Sequence, residues 1–407
     1  MSHTVTAPDL LRFAAAAAEA HGVPEADAGL LADTLVAAEL WGHSSHGMLR
    51  LPWYLRRIET GATVPDAVPR IVTDNGAVIV VDGGDGLGQV VADRAVAWGV
   101  ERAGRYGIGC VAVRGSGHFG TVGYFTRKAA ERGCVALFAT NTSPAMAPWG
   151  GREKRVGNNP WSIAAPGGRH GTVVLDIGNT AVARGKIYHA SERGEPIPDT
   201  WATGADGTPT TDPARAIEGL LLPMAGHKGY AISFLFDILT GVLTGSAFGA
   251  AVVGPSSPHG RSGAGHLLLC IDIKAIADPA EFEERMGALI EETKSTPLAP
   301  GTAEILVPGE PEARSAQRLS ASGIEIAAET WASLSRVAAA TGVAMPVPLS
   351  RRRIPVGFGK VYTRGYTDLT SELYTDVHSV NEEITMSSPS GPARPAILGS
   401  RRGGVRP

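Results

Sequence analysis

One short polar stretch of the chain combines the side chains that a proton-transfer site needs. Residues 42–50 read Gly-His-Ser-Ser-His-Gly-Met-Leu-Arg and follow an alanine-rich apolar segment. Histidine has the unperturbed pKa nearest neutrality, so His46 can give or take a proton at working pH. The Ser45 hydroxyl can orient that imidazole or relay its proton. The alternative interpretation is a helix that ends at Gly42 and continues as a polar loop.

Two further polar side chains follow at helical spacing. Arg50 comes four residues after His46, and Tyr54 comes four residues after Arg50. Side chains four residues apart on a helix share one face. A guanidinium on that face can hold a carboxylate by two parallel hydrogen bonds, and the phenol can add a further donor. The alternatives are a surface arginine and a tyrosine that packs at an interface.

The composition excludes several classes of protein. A chain of 407 residues with 43% hydrophobic and 19% charged residues is ordinary for a globular protein. The net charge of -3 creates no field that favours nucleic acid or an anionic membrane. Cys110, Cys134 and Cys270 lie in apolar runs, which indicates reduced, buried thiols. We expect a cytoplasmic protein without a signal peptide, a disulfide framework or a metal site.

The run 231–254 is the one segment apolar enough to be weighed as a membrane span. It contains Asp237 and several glycines. A buried helix followed by a loop is therefore the better interpretation, and no membrane association is expected.

The order of the remaining elements indicates an α/β fold. Apolar periodicity and β-branched runs predict helices that alternate with strands. The predicted helices cover 7–21, 24–41, 51–58, 90–105, 122–132, 279–294, 330–341 and part of 223–244, and the predicted strands lie within 69–82, 108–113, 134–139, 161–165, 173–176 and 266–273. A long Gly/Pro/Asn loop at 141–160 is typical of a functional segment, and residues 308–311 predict a turn.

A glycine-rich turn raises the question of a dinucleotide-binding fingerprint. Strand, glycine turn and helix follow one another in the required order from Val78 to Arg105. However, a G-x-G-x-x-G match that starts at Gly84 needs its third glycine at Gln89. The spacing therefore predicts an ordinary turn.

An ordered set of motifs resembles one known family. The matching segments are SHGMLRLPWY (45–54), SGHFGTVGYF (116–125), NTSPAMAPWGG (141–151), GNNPWSIAAP (157–166), VLDIGNTAVARGKI (174–187), PTTDP (209–213), GHKGYAISFLFDILTGVLTG (226–245), AGHLLLCIDI (264–273) and VPGE (307–310). Together they resemble the malate/L-lactate dehydrogenase-like family, whose members are NAD(P)-dependent oxidoreductases distinct from Rossmann-type lactate and malate dehydrogenases. The resemblance extends over about residues 8–345.

The resemblance implies an α/β fold with a mixed-sheet, non-Rossmann dinucleotide-binding core and a helical part built from both chain ends. The implied regions are a helical part at 1–68, a cofactor- and substrate-binding core at 69–295, and a segment at 296–350 that packs back on the first helices. Residues 351–407 hold nine Lys or Arg against five Asp or Glu, which predicts a disordered basic tail. The family also implies a homodimer with active sites near the interface.

The implied reaction is hydride transfer between a nicotinamide and C2 of a small 2-oxo or 2-hydroxy acid. His46 matches the histidine of the family's SHG motif and is the favoured acid–base group, with Ser45 as its orienting or relaying hydroxyl. His118, in SGHFG, is the rival catalytic histidine and also a cofactor contact. Arg50 would hold the substrate carboxylate and Tyr54 would add a donor, while His43 and Ser44 receive no role.

The cofactor, NAD or NADP with NAD favoured, would contact several matched segments. The loop 117–123 leads into a predicted helix N-terminus, which is a suitable anion cradle. A lysine in the GHKGY segment can pair with a phosphate. The implied cofactor-binding residues are His118, Gly120, Asp176, Ile177, Gly178, Asn179, Thr180, Lys228, Gly229, Pro308, Gly309 and Glu310.

Three departures from the family pattern leave the substrate open. The family commonly has G-T-N-P where this chain has Gly157-Asn158-Asn159-Pro160, Met-Ala-x-Ser where it has residues 177–180, and an acidic residue where it has Gly204. One alternative is therefore a ketimine reductase that acts on a cyclic 2-imino acid. A further alternative is a catalytically impaired dinucleotide-binding protein.

Overall fold

Eleven strands and eleven helices follow one another along residues 2–351, the part of the chain that the computed structural model describes. The strands are β1 (His3–Val5), β2 (Arg70–Asn75), β3 (Val78–Asp82), β4 (Ile108–Ser116), β5 (Cys134–Thr140), β6 (Trp161–Pro166), β7 (Thr172–Ile177), β8 (Ala202–Thr203), β9 (Leu220–Leu221), β10 (Ala264–Asp272) and β11 (Ile324–Ile326). The helices are α1 (Ala7–Glu19), α2 (Glu25–Leu40), α3 (Leu51–Glu59), α4 (Gly88–Tyr106), α5 (Val122–Ala130), α6 (Arg184–Arg193), α7 (Pro213–Glu218), α8 (His227–Asp237), α9 (Pro279–Lys294), α10 (Glu310–Ser322) and α11 (Ala328–Thr341). The predicted basic tail, 351–407, lies outside the described residues except for Arg351.

Seven strands form one mixed sheet in the order β2-β3-β4-β10-β5-β6-β7. β3 and β4 run parallel, and the other neighbours run antiparallel. The parallel pair is joined through α4, since parallel neighbours need a crossover connection. Aromatic and β-branched side chains such as Val111, Phe125 and Phe138 fill the core between the sheet and its helices. The predicted α/β fold with a mixed sheet is thus confirmed.

The glycine-rich turn after β3 packs directly on the end of β4. The Gly83 N–H donates to the carbonyl of Arg114 at 2.8 Å, and a Cβ at Gly83 would lie 2.8 Å from the carbonyl oxygen of Gly115. The backbone of this turn is therefore in direct contact with the backbone at the end of β4.

A helical layer is built from both ends of the chain. β1 pairs with β11, so that His3 lies opposite Ile326. Leu10 and Leu35 from the first two helices share one buried core with Leu334 from α11. This arrangement confirms the helical part that the resemblance implied.

Two elements differ from expectation. The predicted turn at 308–311 overlaps α10, which already begins at Glu310. Pro311 lies within the first helical turn, where a missing N–H costs nothing. The helix expected to be buried within 223–244 instead exposes apolar side chains, with Leu235 58% and Leu243 64% exposed. Among the described residues, no helix is long and apolar enough to cross a membrane.

Candidate active site

The stretch 42–50 folds as two short 3-10 turns, Ser44–His46 and Met48–Arg50, between α2 and α3. Its shape depends on Glu39, whose buried Oε1 accepts a hydrogen bond from the Met48 N–H at 2.7 Å. A Cβ at Gly47 would overlap that carboxylate, so glycine is required there. Residues 44–50 therefore form two consecutive 3-10 turns and not the α-helix that the spacing of His46 and Arg50 predicted.

Two imidazole rings meet at this site. The rings of His46 and His118 stack with centroids 5.7 Å apart and planes inclined by 17°. Nδ1 of His46 is 3.0 Å from the Ser45 hydroxyl, and Nδ1 of His118 is 2.6 Å from the Tyr54 hydroxyl. Each Nδ1 is therefore held by a hydroxyl, which leaves each Nε2 for a ligand. The structure brings these four predicted residues together.

The Gly120 N–H decides the tautomer of His118. It donates to Nδ1 of His118 at 3.3 Å, so Nδ1 must be an acceptor. The proton of the neutral ring then lies on Nε2, and the Tyr54 hydroxyl must donate its own proton to Nδ1. His118 is thereby set as an N–H donor, whereas His46 has no such backbone constraint on its tautomer.

Both rings are neutral at physiological pH. Burial and, to a lesser extent, the neighbouring Arg50 guanidinium lower the pKa of His46 to about 3. Burial and then Arg50 also hold the pKa of His118 well below its usual value. Burial raises the pKa of the Tyr54 phenol. Neutral imidazoles and an un-ionised phenol can exchange protons with a substrate without first losing charge.

Arg50 is a half-buried cation without a counter-ion. Its Nε donates to the Ser45 carbonyl at 2.6 Å, and its guanidinium lies 4.3 Å from the ring centroid of Trp53. Among residues 2–351, no carboxylate forms an ion pair with it. A desolvated guanidinium beside two neutral imidazoles stabilises a bound anion, and its remaining nitrogens match a carboxylate.

The predicted phosphate cradle at 117–123 is closed by a side chain. The Gly123 N–H, in the first turn of α5, donates to Oδ2 of Asp176 at 2.7 Å. Burial raises the pKa of Asp176 to about 6. The Gly123 N–H at the α5 N-terminus is thus already bound by an internal carboxyl group. Asp176 nonetheless lies where the predicted segments 117–123 and 176–180 meet.

A narrow cleft opens beside Asp176. Gly123, Asp176 and Gly309 line this cleft, and each belongs to a segment that was predicted to contact the cofactor. The other residues that line it are Trp41, His43, Arg127, Val174 and Glu312. No motif indicated Arg127 or Glu312, because charged residues on helix surfaces carry none, and the loop residue His43 had been assigned no role. In the structure His43 lies 3.7 Å from Glu312, and Arg127 lies 5.0 Å from the Trp41 ring centroid.

The remaining predicted residues of β7 and its following loop are held by the fold. The Asn179 side chain is fully buried; its Nδ2 donates to the carbonyl groups of Asn158 and Asn159, and its Oδ1 accepts from Trp161. A cofactor can therefore meet only its backbone. Ile177 is the last residue of β7, and the Thr180 hydroxyl donates to the carbonyl of residue 182 at 3.0 Å. The Asn158 side-chain amide packs against Gly178, where a Cβ would lie 2.8 Å from its nitrogen.

The other predicted cofactor residues are dispersed. Lys228 is exposed on α8, and Gly229 is buried against the carbonyl of residue 224. Pro308 accepts from the residue 174 N–H, and Glu310 is engaged by Lys294 at 2.7 Å. The Lys294 hydrogen bond lowers the pKa of Glu310 to about 2. The Glu310 carboxylate therefore stabilises the start of α10, and Glu312 is the acid that lines the cleft.

The family follows from a match that covers most of the chain. Residues 5–335 match the family model described as malate/L-lactate dehydrogenase. The chain belongs to the malate/L-lactate dehydrogenase family. The resemblance read from the motifs is confirmed, and the chain is an oxidoreductase of the dehydrogenase type.

Individual members of the malate/L-lactate dehydrogenase family share most of their length with this chain. L-sulfolactate dehydrogenase of Methanothermobacter thermautotrophicus is 39% identical over 307 residues, covering 75% of this chain and 88% of that protein. (2R)-3-sulfolactate dehydrogenase (NADP(+)) of Chromohalobacter salexigens is 40% identical over 291 residues, covering 70% and 84%. The solved sulfolactate dehydrogenase from Methanocaldococcus jannaschii superimposes with a TM-score of 0.80 at 35% identity, covering 85% and 98%.

Proposed function

We propose that this protein transfers a hydride between C4 of a nicotinamide and C2 of a small 2-oxo or 2-hydroxy acid. The observation that carries the proposal is Arg50, a half-buried guanidinium that lacks a counter-ion among residues 2–351 and faces two neutral imidazoles. A 2-oxo acid has both an anionic group for the Arg50 guanidinium and a polar oxygen for the imidazoles. Its carboxylate pairs with Arg50, and its C2 oxygen then lies within reach of the imidazole Nε2 atoms.

The two histidines take different roles in this proposal. His118 carries its proton on Nε2 because Gly120 and Tyr54 both donate to Nδ1, so it donates a hydrogen bond to the C2 oxygen. His46 is the acid–base group, oriented by Ser45. During oxidation its Nε2 accepts the proton of the substrate hydroxyl as the hydride leaves C2. During reduction His46 takes up a proton from solvent as the acid binds beside Arg50, and it gives this proton to the alkoxide oxygen.

We propose that the dinucleotide lies along the cleft formed by Trp41, Gly123, Asp176, Gly309 and Glu312. Glycines at two of these positions let the walls of the cleft approach each other closely, and the Trp41 indole forms an apolar part of its lining. The bound group supplies the hydride acceptor or donor. The two carboxyl side chains favour a ribose hydroxyl over a 2′-phosphate, and we therefore propose NAD as the preferred cofactor.

Support for a dianionic substrate comes from the relatives, whose names specify sulfolactate. Malate and sulfolactate both add a second acidic group to a 2-hydroxy acid. We propose that this chain acts on such a dianion. A cyclic 2-imino acid is the competing substrate, because the same Arg50 and His46 could hold its carboxylate and protonate its nitrogen.

We also propose that two copies associate through α8 and the turn that follows it. Six large apolar residues recur there with a spacing that places them on one helical face. They are Phe234, Leu235, Ile238, Leu239, Val242 and Leu243, each at least 36% exposed. A second copy can cover this face by self-complementary, two-fold packing.

A substrate panel tests the proposed reaction. The full-length protein is mixed with NADH or NADPH and with pyruvate, oxaloacetate, 3-sulfopyruvate or piperideine-2-carboxylate, while the nicotinamide absorbance is followed. We expect oxidation of NADH that is fastest with a dianionic 2-oxo acid. Failure of both reduced cofactors to bind, measured by nicotinamide fluorescence, would refute the proposal. Turnover of the cyclic imine alone would replace it with imine reduction.

A further inference from the structure

One fully buried side chain beside the site lacks hydrogen-bond partners. Gln89 lies in the first turn of α4 and is 0% exposed. Within the described residues, neither its Oε1 nor its Nε2 has a hydrogen-bond partner. An unpaired buried amide is unfavourable compared with an apolar side chain of the same size. Packing alone therefore does not explain a glutamine at this position.

The start of α4 is pressed against the loop that carries His118. A Cβ at Gly88 would lie 2.5 Å from the carbonyl oxygen of Gly117 and 2.6 Å from that of His118. Glycine at position 88 lets the two backbones approach, so that Gln89 lies at the contact between α4 and the loop that carries His118. Burial raises the pKa of Tyr54, and the Gln89 amide acts in the opposite direction.

The direction of the Tyr54 hydrogen bond follows from His118. Nδ1 of His118 accepts from the Gly120 N–H, so the Tyr54 hydroxyl, 2.6 Å away, donates to the same atom. The lone pairs of the phenol oxygen then remain available to a donor. The buried Gln89 carboxamide can supply that donor through its Nε2.

We propose that Gln89 is a positioning residue that donates to the Tyr54 oxygen and keeps the phenol proton directed at His118. The inference rests on the proposed function, because it assigns Gln89 to the hydride-transfer site. Gln89 touches neither substrate nor cofactor; it acts through Tyr54. A bond to the phenol oxygen strengthens the phenol as a donor, since hydrogen bonds in a chain polarise one another.

Gln89→Met tests the proposal, because methionine keeps length and burial but removes the amide. We expect kcat to fall about tenfold, the loss of one hydrogen bond in the transition state. The dissociation constant of the reduced cofactor should stay within about twofold. The thermal midpoint should change little, because the loss of the bond from Nε2 to Tyr54 is offset by removal of the buried Oε1, which has no partner among the described residues. An amide with a purely structural role would lower the midpoint and leave kcat unchanged.

A double-mutant cycle with Tyr54→Phe tests whether Gln89 affects the reaction through the Tyr54 phenol. If Gln89 acts through the phenol, Gln89→Met should change kcat by less than about twofold in the Tyr54→Phe protein. Thr203→Val is the matched control, because the Thr203 hydroxyl is also buried and unpaired among the described residues. It should leave kcat unchanged.

The outcomes separate this inference from the proposed reaction. An active wild-type protein with an unchanged kcat in Gln89→Met would overturn the role of Gln89, and so would full additivity in the cycle. A wild-type protein that turns over no 2-oxo acid would contradict the proposed function instead. In that case, an unchanged imidazole ¹⁵N spectrum of His118 in Gln89→Met would also overturn the positioning role.

Discussion

The rings of His46 and His118 lie 5.7 Å apart and nearly parallel, yet different neighbours hold them. A serine hydroxyl meets Nδ1 of His46, whereas a phenol and a backbone N–H both donate to Nδ1 of His118. A serine hydroxyl can either donate or accept, so it permits His46 to change protonation state. The backbone N–H has no such freedom. The two rings are therefore unequal as proton carriers.

Replacement of the histidines should reveal this inequality. His46→Ala should lower kcat by about 10²–10⁴ in both directions, since it removes the acid–base group. His118→Ala should cost less, about 10-fold to 100-fold, as expected for the loss of one hydrogen-bond donor to the reacting oxygen. His259, exposed on the surface, supplies the control variant His259→Ala. A larger loss for His118→Ala than for His46→Ala in steady-state assays would reverse our assignment.

Arg50→Ala should act on the acid substrate far more than on the cofactor. We expect KM for the 2-oxo acid to rise about 100-fold or more, because a desolvated, paired charge is worth about 2–5 kcal/mol. KM for the nicotinamide cofactor should change little. Arg56→Ala is the control, since Arg56 lies at the surface with Glu59. Equal effects on both KM values would show that Arg50 does not hold the carboxylate.

Binding of the acid should be coupled to proton uptake. Arg50 lowers the pKa of both His46 and His118 in the free protein. A bound carboxylate offsets that charge, so the histidine pKa values rise on binding and the protein takes up protons. Affinity for the 2-oxo acid should therefore increase as the pH falls toward about 5. Titration calorimetry in buffers of different ionisation enthalpy measures the uptake, and Arg50→Gln should abolish it.

Glu39 should make the fold less stable at higher pH. Burial raises its pKa to about 7 from 4.5, so as the pH rises through this window the unfolded chain loses the proton first and stability falls. Glu39→Gln removes this loss and keeps an acceptor for Met48. The variant should gain up to ~3 kcal/mol relative to wild type between about pH 4 and 8 in urea unfolding. The exposed Glu25→Gln control should show no such gain.

The apolar face of α8 should control assembly. Leu235→Glu places a charge on the proposed interface, and we expect the mass from light scattering to fall from a dimer to a monomer. Leu289, 56% exposed on α9, provides the control Leu289→Glu, which should remain dimeric. A monomeric wild-type protein would contradict the proposed dimer.

Local patterns predicted the fold well where periodicity was strong. The β-branched run at 78–81 became β3, and the alternating elements became the mixed sheet. α10 was missed because its first residues, Glu-Pro-Glu-Ala-Arg-Ser, are polar and include a proline at the second position that also fits a turn. The exposed face of α8 was missed because apolar content alone does not show whether a side chain is buried within the chain or exposed at its surface.

The site was predicted in its residue types but not in its hydrogen bonds. Ser45, His46, Arg50, Tyr54 and His118 meet as expected. Nothing in a single sequence shows that residue 120 donates to an imidazole, because that contact depends on the backbone path of the loop. For the same reason, a single sequence does not show that Lys294 and Arg314 form ion pairs with Glu310.

The position of β10 has a consequence for synthesis of the protein. This strand comes late in the chain but lies between β4 and β5. A nascent chain that ends before residue 264 therefore holds two half-sheets, β2-β3-β4 and β5-β6-β7, each with an open edge. Such edges pair readily with other chains. Prematurely terminated products should aggregate, and the ribosome must release most of the chain before the sheet can close.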